Sequence, residues 1–171
     1  AAFSAIRIAS TLIDLDKHQG THPRLGATDV VPFVPLSGAT MDDCIQLAHE
    51  VGKRVGNELD IPVYLYEAAA TRPNRKLLEQ VRHREYEALK TTISDDPERA
   101  PDYGPLKAGN AGATTIGARN PLVAFNVYLT TDDIKVAQKI ARVIRASAGG
   151  FPYVKALGML VNGRAQVSMN F

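Results

Sequence analysis

The chain has 171 residues, of which 45% are hydrophobic and 22% charged, so it can bury a core in one large domain or two small ones and is too apolar for a disordered tail. Twenty Lys and Arg against eighteen Asp and Glu leave a formal charge of +2, without the cationic surplus on which counterion-releasing binding depends, and no nucleic-acid partner is expected. The single cysteine, Cys44, excludes an internal disulfide and a cysteine-rich zinc site and suits a reducing cytoplasm.

No window approaches the ~20 apolar residues of a membrane span, and the opening AAFSAIRIASTLIDL lacks the flank and cleavage site of a signal peptide, so a soluble chain with no membrane partner is expected. Phe3, Ile6, Ala9, Leu12 and Ile13 follow helical periodicity from the start. A chain that opens inside an amphipathic helix is expected to have been cut. The segment His18-Gln-Gly-Thr-His22-Pro-Arg-Leu-Gly26 reads as a loop, and Val30-Val-Pro-Phe-Val-Pro-Leu36 as a short buried strand. Thr40 then caps a helix, with Asp43 completing a shortened capping box. Cys44, Ala48, Val51 and Val55 form that helix's apolar stripe. Ile61-Pro-Val-Tyr-Leu-Tyr66 is β-branched and aromatic, as a strand should be, and Asn74 is expected to cap a helix carrying Leu77, Leu78, Val81 and Leu89. This alternation implies crossover connections and helices layered on a sheet.

From Thr91 to Pro121 periodicity disappears while prolines and glycines alternate, which predicts a binding loop or a crossing between domains. Leu122 to Leu129 restores a strand, Thr131 or Asp132 caps a helix through Ser147, and Val154 to Val161 forms another strand. Asn162-Gly163 is a type I′ hairpin signal, with Arg164 to Phe171 as the returning strand. Strand, helix, strand, strand is two thirds of a βαββαβ unit. The expected class is therefore α/β (α+β).

Four histidines are present. His49 and His83 fall in expected helices, where a solvated or packed role is the default. His22 lies in a Gly/Pro-bounded loop just before a strand, with Arg24 and Asp29 close behind; there an imidazole either moves protons or hydrogen bonds to hold the loop. His18 and His22 have the i, i+4 spacing of helical metal ligands, but Gly20 and Pro23 argue against a helix, and no metal is expected. Cys44 reads as a small buried hydrophobe. The segment Pro101 to Ala113 offers glycines, Lys107 and Asn110 but not the order of a phosphate-binding P-loop. A flat, pterin-like ligand with an anionic tail suits it, and so does an interdomain linker. Arg119 can hold a carboxylate bidentately or pair on the surface.

The blocks His22-Pro-Arg-Leu-Gly-Ala-Thr-Asp29, Val63-Tyr-Leu-Tyr-Glu67, Arg84-Glu-Tyr-Glu87, Pro101-Asp-Tyr-Gly-Pro105, Gly117-Ala-Arg119, Ala124-Phe-Asn126 and Ala165-Gln-Val-Ser-Met-Asn170, in unbroken order, together resemble the glutamate formimidoyltransferase family, the formiminotransferase part of formimidoyltransferase-cyclodeaminase. The resemblance implies transfer of the formimidoyl group of N-formimidoyl-L-glutamate to N5 of tetrahydrofolate in histidine degradation, in the cytoplasm and without a metal. It implies two α/β sandwich subdomains with folate between them: residues 1–120 as the amino-terminal one lacking its first strands, and residues 121–171 as the start of a ferredoxin-like carboxyl-terminal one.

It also implies a homodimer, and as further partners the strands missing from this chain or a cyclodeaminase domain. The family's catalytic histidine falls on His22. Its folate-contacting loop falls on Gly104, Pro105, Leu106, Lys107, Ala108, Gly109, Asn110, Ala111 and Gly112. Of these, Gly104, Pro105 and Gly112 match well, whereas Leu106 to Ala111 departs from animal members. Arg24 and Arg119 are candidates for substrate carboxylates. Formyl transfer from N-formylglutamate, folate binding without transfer, and a noncatalytic assembly piece are the competing readings; His22 and the Gly-rich loop weigh against the last.

Overall fold

In the computed structural model, which describes residues 1–20 and 22–171, the chain begins with helix α1 (Ala2–Leu12), whose Ile6 is buried. After strand β1 (Val30–Phe33), helix α2 (Met41–Leu59) starts at the expected capping box. Thr40 Oγ1 accepts from the Asp43 N–H at 3.2 Å, and the Asp43 carboxylate accepts from the Thr40 N–H at 2.8 Å. Two donors left free by the first helical turn are thereby satisfied. Strand β2 (Val63–Glu67), helices α3 (Leu78–Val81) and α4 (Glu85–Thr92), and strand β3 (Thr114–Ala118) complete a first compact unit, Ala1–Asn120.

The three strands of this unit form an all-parallel sheet in the order β1-β3-β2. A parallel sheet is stable when both faces are covered, and β2 shows how this is done. Val63 and Leu65 join Ile116, Ala118, Cys44, Ala48, Val55 and Ile6 beneath α1 and α2. Tyr64 and Tyr66 turn to the opposite face, with Leu25, Val81, Leu89 and Ile93. Each fully buried aliphatic side chain contributes about 1.5–3 kcal/mol. Cys44 is buried in the first of these cores and is a free thiol.

Several expected elements take a different form. The single helix expected after Asn74 is broken into a 3₁₀ turn (Pro73–Arg75), α3 and α4, because Arg84 and Glu85 both adopt positive φ (64° and 56°) and interrupt the helical path. His83 therefore lies in a turn, not a helix. Asn74 caps nothing and donates instead to Glu98 Oε2 at 2.7 Å. The region from Thr91 to Pro121 is not structureless: it holds a 3₁₀ turn at Pro97–Arg99 and, in β3, the central strand of the sheet. Thr114, Thr115 and Ile116 are β-branched, but Gly117 cuts the run short and hides its strand character.

The second compact unit, Pro121–Phe171, contains β4 (Ala124–Tyr128), α5 (Ile134–Ile144), β5 (Lys155–Val161) and β6 (Arg164–Asn170). Its antiparallel sheet has the order β4-β6-β5, the arrangement of the first two thirds of a ferredoxin-like βαββαβ unit. Asn162 and Gly163 make the expected hairpin turn with φ of 50° and 74°. The cap of α5 is Asp133, which accepts from Lys135 N–H at 2.9 Å, in place of Thr131 or Asp132; Thr131 Oγ1 accepts from Asp133 N–H. The helix ends at Ile144 and continues as a 3₁₀ turn at Ala146–Ala148, short of the expected regular helix through Ser147. Ala137, Ala141, Ala165 and Val167 are the core. Among the described residues, no helix is long and apolar enough to cross a membrane.

Candidate active site

The loop expected over residues 18–26 includes Thr21, which lies outside the described residues; the remainder is tied to α4 at two points. On the amino-terminal side, the Asp16 carboxylate accepts from Tyr86 Oη at 2.7 Å and from Lys90 Nζ at 2.5 Å. These hydrogen bonds, Lys90's foremost, hold the Asp16 carboxyl below its usual range. On the other side, Arg24 Nη2 donates to Glu87 Oε1 at 2.8 Å and to the His18 carbonyl at 2.8 Å, while Nη1 lies 3.3 Å from Glu85 Oε2. The Arg24 carbonyl accepts from Tyr86 N–H at 3.0 Å. Glu87's hydrogen bond makes Arg24 harder still to deprotonate, and Arg24 in turn lowers the Glu87 carboxyl. The left-handed Arg84-Glu85 pair turns the chain so that both Glu85 and the Tyr86 amide meet Arg24.

A third tie is Asp29. Its backbone carbonyl accepts from Thr115 N–H (2.9 Å) and Oγ1 (2.5 Å), which fixes it to β3. Its Oδ1 accepts from Leu25 N–H at 2.8 Å, three residues from His22, and its Oδ2 pairs with Arg82 Nη2. The loop thus hangs from the sheet and from α4 together.

Between these ties lies a cavity of about 410 Å³, with His18, His22 and Asp29 among its polar wall and Ile13, Leu15 and Pro23 among its apolar one. This volume falls within the range of small-molecule sites. His22, exposed, faces it. The carboxyl half of the glycine-rich loop is brought against the same cavity: Leu15 N–H donates to Asn110 O at 2.8 Å, Ala27 N–H to Ala111 O at 2.9 Å, and Ala113 N–H to Leu25 O at 2.9 Å. Ala108 packs on Leu15 and Tyr86. Gly104, Leu106, Lys107, Gly109 and Asn110 are exposed.

Two of the three glycines of that loop are explained by the protein's own backbone. Gly104 (φ +87°) and Gly112 (φ +68°) are left-handed, and a Cβ there would lie 2.5 Å from Ile61 O and 2.1 Å from Leu25 O respectively. The amino-terminal half of the loop hangs on Asp102. Its Oδ2 pairs with Arg75 Nη1 at 2.6 Å and accepts from Leu65 N–H at 2.8 Å, and its Oδ1 accepts from Thr71. Arg75 also donates to the Ala100 and Glu98 carbonyls, at 2.5 and 3.4 Å.

Arg119 is not brought to the cavity. It follows the carboxyl end of β3, separated from Ala113 by five strand residues of about 3.3 Å each, roughly 16 Å. It lies half-buried beside Tyr66, whose hydroxyl is buried without a hydrogen bond of good geometry; burial raises the Tyr66 pKa and Arg119 opposes the rise. The other histidines stand apart: His49 Nδ1 meets Tyr103 Oη at 2.9 Å on α2, and the His83 carbonyl accepts from Arg99 at 2.6 Å. Among the described residues, no group of three or more His, Cys, Asp and Glu gathers as metal ligands do. Three contributors to this geometry have no role assigned from the sequence: Arg82, because its partner is 53 residues away, and Glu85 and Glu87, which enter only within the block Arg84 to Glu87.

Comparison with known proteins bears on this site. The family described as formiminotransferase domain, N-terminal subdomain, matches residues 1–119. The glutamate formimidoyltransferase of Streptococcus pyogenes serotype M1 is 49% identical over 173 residues, covering 99% of this chain and 58% of the relative. That of Thermoplasma acidophilum is 48% identical over 174 residues, covering 99% and 57%. The formimidoyltransferase-cyclodeaminase of Rattus norvegicus is 42% identical over 178 residues, covering 99% and 32%. The chain thus spans a little over half the length of the first two relatives and about a third of the last.

Proposed function

The chain belongs to the formiminotransferase domain family, and from that premise we propose that the protein transfers the formimidoyl group of N-formimidoyl-L-glutamate to N5 of tetrahydrofolate, with His22 moving the protons. The observation that carries this reading is the position of His22: an imidazole on a loop tied to both sheet and helix, facing a cavity with an apolar wall. N5 of the folate attacks the formimidoyl carbon and must lose a proton, and the departing glutamate nitrogen must gain one. An imidazole, with one ring nitrogen to accept and one to donate, can accept the first and supply the second. Tetrahydrofolate enters as the acceptor substrate. In this reading the flat pterin lies against Ile13, Leu15 and Pro23, and the loop from Gly104 to Gly112, with Lys107 as its cation, follows the molecule.

For the substrate carboxylates Arg24 and Arg119 are both candidates, Arg24 for one held in the cavity that it lines and Arg119 for one beyond the carboxyl end of β3. Arg24 already holds Glu85 and Glu87, whereas Arg119 donates a hydrogen bond to the Asn120 carbonyl. Residues 1–120 are read as the amino-terminal formiminotransferase subdomain and residues 121–171 as the start of the carboxyl-terminal one. A homodimer in the cytoplasm, with a cyclodeaminase fused or separate and no metal needed for transfer, completes the proposal.

The test is the formation of 5-formimidoyltetrahydrofolate by the full-length protein, followed by mass spectrometry, with N-formimidoyl- and N-formyl-L-glutamate offered separately. Product from the formimidoyl donor is expected. Product from the formyl donor alone reassigns the enzyme as a formyltransferase, and folate binding without product from either donor removes the transferase reading.

A further inference from the structure

One group in the cavity has no task in the scheme above. Its polar lining contains His18, His22, Arg24 and Asp29. Arg24 stays protonated at any working pH and is paired with two glutamates. Asp29 is committed to Leu25 N–H and Arg82. That leaves His18 as the second imidazole of the cavity. Its backbone is held on both sides: its N–H donates to Asp14 O at 2.9 Å, and its carbonyl accepts from Arg24. Its ring folds over Gly20, where an added Cβ would lie 3.2 Å from His18 Cε1 and 3.9 Å from the His22 carbonyl. The ring therefore packs against Gly20, which lines the same cavity.

Formimidoyl transfer needs one group that accepts a proton and one that donates, and a single imidazole must do these in turn. We propose that the two tasks are divided: His22 takes the proton from N5, and His18, as the imidazolium, protonates the departing glutamate nitrogen. This rests on the transferase reading above. The step balances. The bond from N5 to the formimidoyl carbon forms, the bond from that carbon to the glutamate nitrogen breaks, one proton goes to His22 and one leaves His18, and nothing is oxidised. Both histidines are exposed, so solvent returns them to their starting states before the next turnover. The charged groups around them are Arg24 and Asp29 in the cavity, Asp14, Asp16 and Lys17 on their own segment, and Arg84, Glu85, Glu87 and Lys90 from α4 and its approach.

A base that must be neutral and an acid that must be protonated give a bell-shaped dependence of kcat on pH. In the full-length protein, His18→Gln is expected to lower kcat about 100-fold, within the range of general acid catalysis, to leave KM for both substrates unchanged, and to abolish the alkaline limb. In His18→Ala, added imidazole is expected to restore turnover, which a folding defect would not allow. Wild-type kcat in His18→Gln, or an alkaline limb that survives, overturns the division of labour and leaves the role of His22 standing. No transfer by the wild-type protein fells the transferase reading and this one with it.

Discussion

Two carboxylate–guanidinium pairs fasten loops to the parallel sheet of the first unit, and they differ in what surrounds them. Asp102 and Arg75 are almost wholly buried, with side chains 7% and 4% exposed, and the pair is completed by the Leu65 amide, Thr71 and two carbonyls. Asp29 and Arg82 are 23% and 22% exposed, Asp29 forms part of the wall of the His22 cavity, and Arg82 Nε is left without a partner. The first pair has its polar groups largely satisfied, and the cavity that Arg75 helps to line holds only about 130 Å³ against the 410 Å³ beside Asp29. The second leaves donor capacity in reserve beside a cavity large enough for a ligand. A buried pair that is complete specifies the fold, whereas one left partly open at a cavity positions a site.

The sharpest way to break this contrast is to remove one partner from each pair. Asp102→Ala strands a buried guanidinium and a strand amide, and is expected to cost about 3–5 kcal/mol, read as a fall in the midpoint of thermal or urea unfolding. An unchanged midpoint would remove the pair's structural role. Asp29→Asn keeps the shape and loses the charge. It is expected to cost about 1–2 kcal/mol of stability but about 10-fold or more in kcat, because small misplacements of a reacting group are expensive. Steady-state kinetics beside an unfolding curve check this, and a loss of stability without a loss of kcat would place Asp29 with Asp102.

A smaller effect sharpens the same distinction at Tyr66. Its buried hydroxyl makes no hydrogen bond of good geometry, so Tyr66→Phe is expected to leave stability within about 0.5 kcal/mol of wild type or to raise it. A clear destabilisation would show that the hydroxyl has a structural partner. The smallest effect concerns pH. Glu87 and Asp16 are held below their ordinary range by Arg24 and by Lys90 with Tyr86. A lowered carboxyl stabilises the fold above its unfolded pKa of about 4, and the contribution is lost as pH falls through the folded value. Because both groups are exposed, a modest decline of the melting temperature between about pH 4.5 and 3 is expected, with Glu87→Gln flattening part of it.

Much of the fold was legible in the sequence where the signal is local. Thr40 and Asp43 lie three residues apart, and the capping box forms; Asn162-Gly163 needs only its own two residues to turn, and the hairpin forms. What was hidden depends on distant partners. Thr114 to Ala118 becomes the central strand because β1 and β2 flank it, not because of its own pattern. The helix after Asn74 breaks where Arg84 and Glu85 turn left-handed, and that turn brings Glu85 and the Tyr86 amide to Arg24, some sixty residues earlier. At the site, the surroundings of His22 left proton transfer and a loop-holding hydrogen bond both open, whereas the pairing of Arg24 with Glu85 and Glu87, the Asp29 to Arg82 tie and the folding of His18 over Gly20 are tertiary facts.

The measurement that bears most directly on the account is the rate of 5-formimidoyltetrahydrofolate formation by His22→Ala beside wild type, in the full-length protein with unfolding curves recorded for both. The account predicts a kcat at least about 100-fold lower with the folded state intact. Transfer at the wild-type rate would contradict it.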